Sequence, residues 1–246
     1  MIITINGMAC ACEPGEYLLQ IARRNRIVIP TFCHHEGLPG QGCCRVCIVE
    51  VEIRGRRNIV SSCVYPVEQE CTVFTDSDRV KKQRGIVLAL MHSHAPESER
   101  VTRLCKMYGI PEYERFITNP GEKCIMCGLC VKACASLGTG AIAAMNRGVD
   151  KEISTPYDKP SADCVGCGSC SRVCPTGAIG LAEDAFTRTI WEKEFTLRFC
   201  ERCKKPAGTL EEIELAAKKA GIETPVLCGE CRKKAIADAM ARTYGH

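Results

Sequence analysis

The sequence predicts an α+β protein assembled from small modules that are organised around cysteine side chains rather than around one large apolar core. The chain has 246 residues, of which 21 are cysteine, whereas aromatic residues make up only 5%. The pattern C-x2-C-x2-C-x3-C occurs twice, in residues 124–134 and 164–174. Because repeated CxxC spacing is typical of metal-binding thiols, we expect bound metal to organise these modules.

Several features argue against a secreted disulfide scaffold and favour a reducing compartment, which we expect to be the cytoplasm. The N-terminal stretch MIITINGMAC has neither the basic nor the apolar region of a signal peptide. The odd number of cysteines is incompatible with complete disulfide pairing. The apolar run IVLALM, residues 86–91, is far too short to span a membrane, so we expect no membrane-spanning segment.

Residues 1–75 are predicted to form a β-grasp module. The alternating stretch MIITING ends in Asn6-Gly7, which favours a two-residue hairpin turn. After a second strand, residues with helical spacing follow Pro14, where a helix can begin. The segment around Gly55 alternates again and predicts two further strands. A hairpin, a helix and further strands together indicate the β-grasp arrangement.

Residues 76–119 are predicted to form a charged helical linker. One helix is expected over residues 77–94 and a second over residues 98–109, with Ser98 as the N-cap of the second. The basic stretch RVKKQR, residues 79–84, is interpreted as a solvated helix face.

Residues 120–183 contain the repeated cysteine runs and are predicted to hold two [4Fe–4S] clusters, as in the bacterial two-cluster ferredoxins that this segment resembles. Three thiols of each run come from one tight loop. The fourth, expected at the start of a helix that leads away, ligates the other cube. The first cube is then held by Cys124, Cys127, Cys130 and Cys174. The second is held by Cys134, Cys164, Cys167 and Cys170.

A further motif, C-x10-C-x2-C-x15-C, lies within the first module. Four thiolates can hold two irons, and the glycine-rich loop between the first two cysteines can wrap around a [2Fe–2S] cluster. The x2 spacing favours Cys44 over its neighbour Cys43 as a ligand. The predicted ligands are Cys33, Cys44, Cys47 and Cys63.

The wide first spacing of this motif, together with the segments CRVC and SSCVYPV, resembles the N-terminal iron–sulfur region of two protein groups. These are the large, 75 kDa-type subunit of respiratory NADH dehydrogenase and the iron-only hydrogenases. The resemblance covers residues 1–183 and implies a small electron-transfer subunit of a multisubunit oxidoreductase. Its implied partners are a flavin-containing subunit that oxidises NAD(P)H and a catalytic subunit, such as a formate dehydrogenase or a hydrogenase. Ferredoxin is a further candidate partner.

That family usually carries another cluster, held by H-x3-C-x2-C-x5-C. In this chain His94 aligns with the histidine of that motif, but Ser98 stands at the first cysteine and Cys105 is the one cysteine nearby. We therefore expect this cluster to be absent. His92 and His94 are interpreted as polar or capping residues on a helix.

Residues 184–246 are predicted to form a small treble-clef-like module with a helical segment between two CxxC pairs. The second pair lies at a helix start, where the helix dipole favours thiolate. Four thiolates in this layout favour a structural zinc ion, and a third [4Fe–4S] cluster is the alternative. The predicted ligands are Cys200, Cys203, Cys228 and Cys231.

The remaining cysteines are expected to be buried structural thiols without a metal. They are Cys10, Cys12, Cys43, Cys71 and Cys105.

The predicted function is the relay of single electrons, because every predicted cluster has four cysteine ligands. The sequence contains no G-x-G-x-x-G, no P-loop and no acid–base constellation, so no catalytic residue is predicted. A self-contained iron-only hydrogenase would need a large catalytic domain after residue 183, where only the small tail follows.

Two alternatives remain. The iron–sulfur subunit of succinate dehydrogenase or fumarate reductase carries a comparable set of clusters, but its front motif has x4 rather than x10 spacing. A metal-stabilised nucleic-acid-binding module is suggested by the tail and by basic residues such as 231–235. Few aromatic residues and a net charge of only +4 argue against this second alternative, so no nucleic-acid partner is expected.

Overall fold

The computed structural model describes residues 1–111, 113, 115–116, 118–221 and 225–244. The chain divides into two compact units. The first unit comprises Met1–Leu129 together with Val173–Ala178. The second unit comprises Cys130–Arg172 together with Ile179–His246.

The first unit opens with a β-hairpin, as predicted. Strands β1 (Ile2–Ile5) and β2 (Met8–Ala11) pair antiparallel. The two turn residues, Asn6 and Gly7, have φ values of 49° and 85°. Positive φ at both positions is the requirement of the type I′ turn, which asparagine and glycine meet at low cost.

The first helix is shorter than predicted. Residues after Pro14 form a short strand, β3 (Glu16–Tyr17), which pairs with Pro66–Val67, and helix α1 (Leu18–Arg24) begins only after it. The prediction that the helix begins at Pro14 was therefore wrong, because tertiary strand pairing at residues 16–17 overrides the local helical pattern.

The first unit has a mixed sheet and two further helices, which agrees with the predicted α+β class. The sheet consists of β2, β1, β7 (Thr72–Phe74), β4 (Ile48–Ile53) and β5 (Arg56–Ser61), in that order, with β1 and β7 parallel and the other pairs antiparallel. Its apolar core includes residues of α1 and the sheet. The elements that follow α1 are β4 (Ile48–Ile53), β5 (Arg56–Ser61), β6 (Pro66–Val67), β7 (Thr72–Phe74), α2 (Asp78–His94) and α3 (Glu99–Met107).

The two predicted linker helices are confirmed as α2 and α3. Ser98 is the N-cap of α3, because its Oγ accepts a hydrogen bond from the Val101 N–H at 3.4 Å. His92 and His94 lie in the last turn of α2. Ser98, which stands at the first cysteine of the motif H-x3-C-x2-C-x5-C, is thus a buried capping residue.

Arg84 of α2 is fully buried, which contradicts its interpretation as part of a solvated helix face. It lies one turn from Val80 and from Leu88, and all three have 0% exposure. Its five N–H groups each donate one hydrogen bond, at distances from 2.6 to 3.0 Å. The acceptors are Val46 O, Ile48 O, Thr75 O, Asp76 Oδ1 and the Tyr108 hydroxyl.

The remainder of the chain contains helices of 5 to 16 residues and two small sheets. The elements are α4 (Leu129–Ser136), β8 (Ala143–Met145), β9 (Glu152–Ser154), α5 (Ser169–Val173), β10 (Ala182–Glu183), β11 (Thr187–Ile190), β12 (Lys193–Phe199), β13 (Pro206–Thr209), α6 (Leu210–Ala220) and α7 (Gly229–Tyr244). One sheet is two-stranded (β8-β9) and the other is four-stranded (β10-β11-β12-β13).

The tail helices agree with the prediction, whereas the four-stranded sheet was not predicted. Helix α6 is capped by Thr209 and ends at Gly221, which has φ 67°. Strands β11 and β12 have alternating burial, a signal that the sequence carries in the stretches TRTI and KEFTLRF. In the described residues, no helix has both the length and the apolar character needed to cross a membrane.

Candidate metal centres

The four cysteines of the front motif lie together in the first unit, and all are buried. The Sγ atoms of Cys47 and Cys63 are 3.3 Å apart. The backbone N–H of Cys44 donates to the Sγ of Cys33 at 3.4 Å. Cys47 lies beside Cys63, and Cys33 lies beside Cys44 and accepts its backbone hydrogen bond. Four buried thiols arranged in this way fit the donor set of a [2Fe–2S] cluster.

Strand pairing brings Cys47 and Cys63 together. Cys47 immediately precedes β4 and Cys63 lies in the turn after β5, and Ile48 is the register partner of Ser61. The N–H and hydroxyl of Ser62 both donate to the carbonyl of Cys47, at 3.2 and 2.8 Å. These bonds hold the two ligand backbones at a fixed spacing.

The loop between Cys33 and Cys44 passes close to this turn. Gly42 has φ 62°, and a Cβ placed there would lie 2.9 Å from a methyl carbon of Val64. Glycine is therefore required on both conformational and steric grounds. The close approach positions Cys44 beside the other ligands.

Hydrogen bonds among these thiols favour one thiolate in each pair. Hydrogen bonds from neighbouring thiols, with Cys43 the largest contributor, hold the pKa of Cys33 well below its ordinary value. A hydrogen bond from Cys63 lowers the pKa of Cys47 to about 6. Conversely, these interactions raise the pKa values of Cys44 and Cys63. Two of the four thiols are thus predisposed to ionise, and bound metal would be needed to ionise the other two.

Cys43 is exposed, and its Sγ is 3.4 Å from the carbonyl oxygen of Cys127, whereas Cys44 is only 8% exposed. We therefore expect Cys44→Ala to lose the [2Fe–2S] cluster, about two irons per chain, and Cys43→Ala to retain it. Iron analysis with visible circular dichroism of the anaerobic protein measures both variants. Loss of the cluster in Cys43→Ala and its retention in Cys44→Ala would reverse the assignment.

The cysteines predicted for the second cube line one cavity, which lies entirely within the second unit. The cavity, counted together with the open solvent at its mouth, contains about 350 Å³ of space free of protein atoms. Its walls include Cys134, from the first run, together with Cys164, Cys167 and Cys170 from the second. The structure therefore brings the fourth cysteine of one run to the first three of the other.

The loops of both runs share a left-handed backbone at equivalent positions. Met126 and Gly166 have φ values of 51° and 65°, and Gly128 and Gly168 both have φ 70°. In the first run, this turn lets the N–H of Met126 donate to the Sγ of Cys124 at 3.4 Å. N–H groups directed at thiolates are favourable to cluster binding because they stabilise the negative charge.

Three cysteines predicted for the first cube lie in the first unit. Burial raises the pKa values of Cys124 and of Cys127, to about 11 for Cys127, and the nearby Cys174 contributes to both shifts. The N–H of Ala178 donates to the Sγ of Cys174 at 3.3 Å. Cys130, the fourth predicted ligand, is buried in the core of the second unit.

The fourth cysteine of each run was predicted to start a helix, and this prediction was wrong. Instead Cys130 lies in the first turn of α4 and Cys134 lies near its end, while Cys174 directly follows α5. The helix begins after the left-handed glycine of each loop, since residues from that point onwards can form i to i+4 hydrogen bonds.

The tail cysteines form a tight group. The Sγ atoms of Cys200, Cys203, Cys228 and Cys231 all lie within 4.8 Å of one another. Cys200 follows β12 and Cys203 lies in the turn before β13, whereas Cys228 precedes α7 and Cys231 lies in its first turn. This arrangement is a four-thiolate metal site.

Ionisation in the tail site is uneven. Burial disfavours the Cys200 thiolate, but backbone N–H groups outweigh burial and lower the pKa of Cys200 to about 6. Burial and hydrogen bonding to the neighbouring thiols raise the pKa of Cys231 to about 12. A bound cation would be needed to ionise Cys231 at neutral pH.

Two residues near the cavity that Cys134 shares with the second run were missed by the sequence analysis. The indole N–H of Trp191 donates to the Sγ of Cys170 at 3.5 Å, and the ammonium of Lys193 donates to the carbonyl of Cys164 at 2.9 Å. Both belong to the hairpin of β11 and β12, which was not predicted. The signal that could have found it is the alternation on both sides of these residues.

Comparison with known proteins agrees with this geometry. Residues 1–78 match the model of the 2Fe-2S iron-sulfur cluster binding domain, and residues 123–178 match that of the 4Fe-4S dicluster domain. The NADH-ubiquinone oxidoreductase 75 kDa subunit of Reclinomonas americana is 30% identical over 218 residues, which cover 79% of this chain and 31% of the relative. This chain is homologous to such iron–sulfur subunits. The resemblance predicted from the sequence is thereby confirmed.

Another relative is a hydrogenase subunit. The NADP-reducing hydrogenase subunit HndD of Solidesulfovibrio fructosivorans is 35% identical over 224 residues, covering 78% of this chain and 37% of the relative. A crystal structure of NAD+-reducing [NiFe]-hydrogenase in the H2-reduced state has a similar fold, with a TM-score of 0.62 and 23% identity. That match covers 72% of this chain and 85% of the other. The chain spans about a third of the length of the curated relatives that it matches.

Proposed function

We propose that this chain relays single electrons through one [2Fe–2S] and two [4Fe–4S] clusters. Its proposed partners are a flavin-containing subunit that oxidises NAD(P)H and a catalytic subunit of the formate dehydrogenase or hydrogenase type. Support for these partners comes from the 75 kDa subunit and hydrogenase subunits among its relatives.

The observation that carries this proposal is the cavity that Cys134 shares with the cysteines of the second run. Four thiols around one cavity leave no open coordination position for a substrate when each binds one iron of a cube. An iron–sulfur cluster bound here with four thiolate ligands would transfer single electrons. The protein residues then hold the cluster, exclude water and supply hydrogen bonds to sulfur.

The proposed ligands follow the spacing of the motifs. The [2Fe–2S] cluster is assigned to Cys33, Cys44, Cys47 and Cys63. The first [4Fe–4S] cluster is assigned to Cys124, Cys127, Cys130 and Cys174, and the place of Cys130 in this set rests on the C-x2-C-x2-C spacing alone. The second is assigned to Cys134, Cys164, Cys167 and Cys170.

The proposed domain limits are those expected from the sequence. They are a β-grasp [2Fe–2S] domain at 1–75, a helical linker at 76–119, a two-[4Fe–4S] domain at 120–183 and a four-cysteine module at 184–246.

For the tail we propose a single zinc ion in a treble-clef-like module. A zinc ion binds four sulfurs at about 2.3 Å in a tetrahedron, which places the sulfurs roughly 3.8 Å apart. The Sγ atoms of Cys203 and Cys228 are 3.6 Å apart, close to that spacing. A cube would require wider spacing, because each thiolate binds a different iron. The tight group therefore favours zinc over a third [4Fe–4S] cluster.

Metal analysis with EPR of the reduced, anaerobically purified protein tests these proposals. We expect about ten irons and about one zinc per chain, with signals from one [2Fe–2S] and two [4Fe–4S] clusters. Cys203→Ala should lose the zinc and retain the iron. About fourteen irons without zinc would assign a third cube to the tail, and fewer than about six irons would contradict the relay.

A further inference from the structure

We propose that the hairpin of β11 and β12 raises the reduction potential of the second [4Fe–4S] cluster through Trp191 and Lys193. This inference rests on the proposed function, since it requires that cluster at Cys134, Cys164, Cys167 and Cys170. It assigns a role to a segment outside both matched iron–sulfur domains, which end at residues 78 and 178.

The tip of this hairpin has an unusual backbone. Ile190 pairs with Lys193, so Trp191 and Glu192 form a two-residue turn, with φ values of 53° and 57°. Such turns strongly prefer asparagine and glycine, because the left-handed region is unfavourable for other residues. Backbone strain of this kind persists where surrounding contacts over-determine it, and it often marks a functional position.

The contact that accompanies this strain is the hydrogen bond from the Trp191 indole to Cys170. The Nε1 to Sγ distance is 3.5 Å, and Trp191 and Cys170 both line the cavity described above. Reduction of a cluster adds negative charge that is shared with its thiolate ligands. A hydrogen bond to a ligand sulfur therefore stabilises the reduced form more than the oxidised form and raises the potential.

Lys193 adds a positive charge on the same hairpin. Its ammonium donates to three backbone carbonyls of the cluster loop, those of Ser161, Ala162 and Cys164, at 3.1, 3.4 and 2.9 Å. It also lies 4.8 Å from the centre of the Phe195 ring. Among the described residues, these partners are neutral and no carboxylate lies within salt-bridge distance of Lys193. Its uncompensated charge thus also favours the reduced cluster.

Two further contacts keep the hairpin against this loop. The guanidinium of the buried Arg188 donates to the carbonyl of Gly166 at 2.9 Å. A Cβ placed on Gly166 would lie 2.6 Å from the Phe195 ring, so the aromatic ring closes directly on the loop backbone. The hairpin position is therefore defined independently of Trp191 and Lys193, and substitutions at those two residues can leave the loop in place.

The test is an EPR-monitored redox titration of the intact anaerobic protein carrying Trp191→Phe, Lys193→Met or Lys193→Arg. Trp191→Phe keeps an aromatic ring and removes the N–H, and Lys193→Met keeps the length and removes the charge. We expect both to shift the midpoint of the second cluster to a more negative potential and to leave the other two clusters unchanged. Lys193→Arg keeps the charge, so the midpoint of the second cluster in this variant should stay close to that of the wild-type protein.

The matched control is Lys205→Met, which removes the same charge from a lysine side chain that is 68% exposed and 3.7 Å from Glu230. It should leave all three midpoints unchanged. Unchanged potentials in Trp191→Phe and Lys193→Met at full iron content, or equal shifts in all clusters, would overturn the proposal.

A second measurement needs no substitution in the hairpin. Trp191 is the only tryptophan of the chain, so ¹⁵N-tryptophan labelling places an indole label at this site alone. We expect an ¹⁵N hyperfine coupling to the reduced second cluster, and its absence would refute the hydrogen bond. Cys164→Ala tests the assignment of the second cluster separately from the influence of the hairpin on its potential. Retention of every EPR signal in that variant would contradict the cluster assignment itself.

Discussion

Cys134→Ala should abolish the second [4Fe–4S] cluster and spare the first, although Cys134 belongs to the first cysteine run. The reason is that its side chain lines the cavity formed by the cysteines of the second run. We expect a loss of about four irons per chain, together with the EPR signal that is also lost in Cys164→Ala. Iron analysis and EPR of the reduced protein measure both quantities.

Two variants make this result interpretable. Cys105→Ala removes a buried thiol that hydrogen-bonds the carbonyl of Leu88, and it should retain all iron. Cys174→Ala should lose the other [4Fe–4S] signal, because Cys174 lies with Cys124 and Cys127. If Cys134→Ala and Cys124→Ala lose the same signal, each run holds its own cube and the exchange of ligands is refuted.

Arg84→Met should destabilise the first unit by about 3–5 kcal/mol, because it leaves buried hydrogen-bond acceptors without a donor. Two of those acceptors are the carbonyls of Val46 and Ile48, which flank the proposed ligand Cys47. We therefore expect the [2Fe–2S] cluster to be lost at lower denaturant concentration. A urea titration followed by visible circular dichroism of this cluster measures the change.

Lys82→Met is the matched control for this prediction. Lys82 lies on the same helix, but its side chain is exposed. Replacing an exposed side chain of this kind changes the free energy of unfolding by less than about 0.5 kcal/mol. Equal destabilisation by the two substitutions would show that the buried hydrogen-bond network around Arg84 has no special importance.

The features that could be predicted from the sequence are those determined by neighbouring residues. The turn at Asn6-Gly7 follows from the backbone preferences of two residues, and the cap at Ser98 follows from one side chain and the next turn. The spacing of the cysteine runs is equally local. It was sufficient to identify the homologous iron–sulfur subunits that the comparisons confirm.

The features that could not be predicted depend on partners far away along the chain. Arg84 belongs to a basic stretch whose composition is typical of a solvated helix face. Its burial depends on hydrogen-bond acceptors distant in sequence, such as the carbonyl of Val46. The helix expected at Pro14 gives way to a strand because residues 66–67 pair with it. Trp191 reaches Cys170 only because two strands that the sequence analysis did not identify form a hairpin. No local preference carries that information.

The return of Val173–Ala178 to the first unit has a consequence for the order in which the protein matures during synthesis. The front site has all its proposed ligands once Cys63 has left the ribosome. Cys124 and Cys127, in contrast, lack their proposed fellow ligand Cys174 until another 47 residues have been added after Cys127. At a translation rate of about 5–20 residues per second, that delay is roughly 2–9 s. The proposed second cube has all its ligands once Cys170 is made, only four residues before Cys174 completes the proposed first cube. On this assignment the two cubes become ready for iron almost together, well after the front cluster.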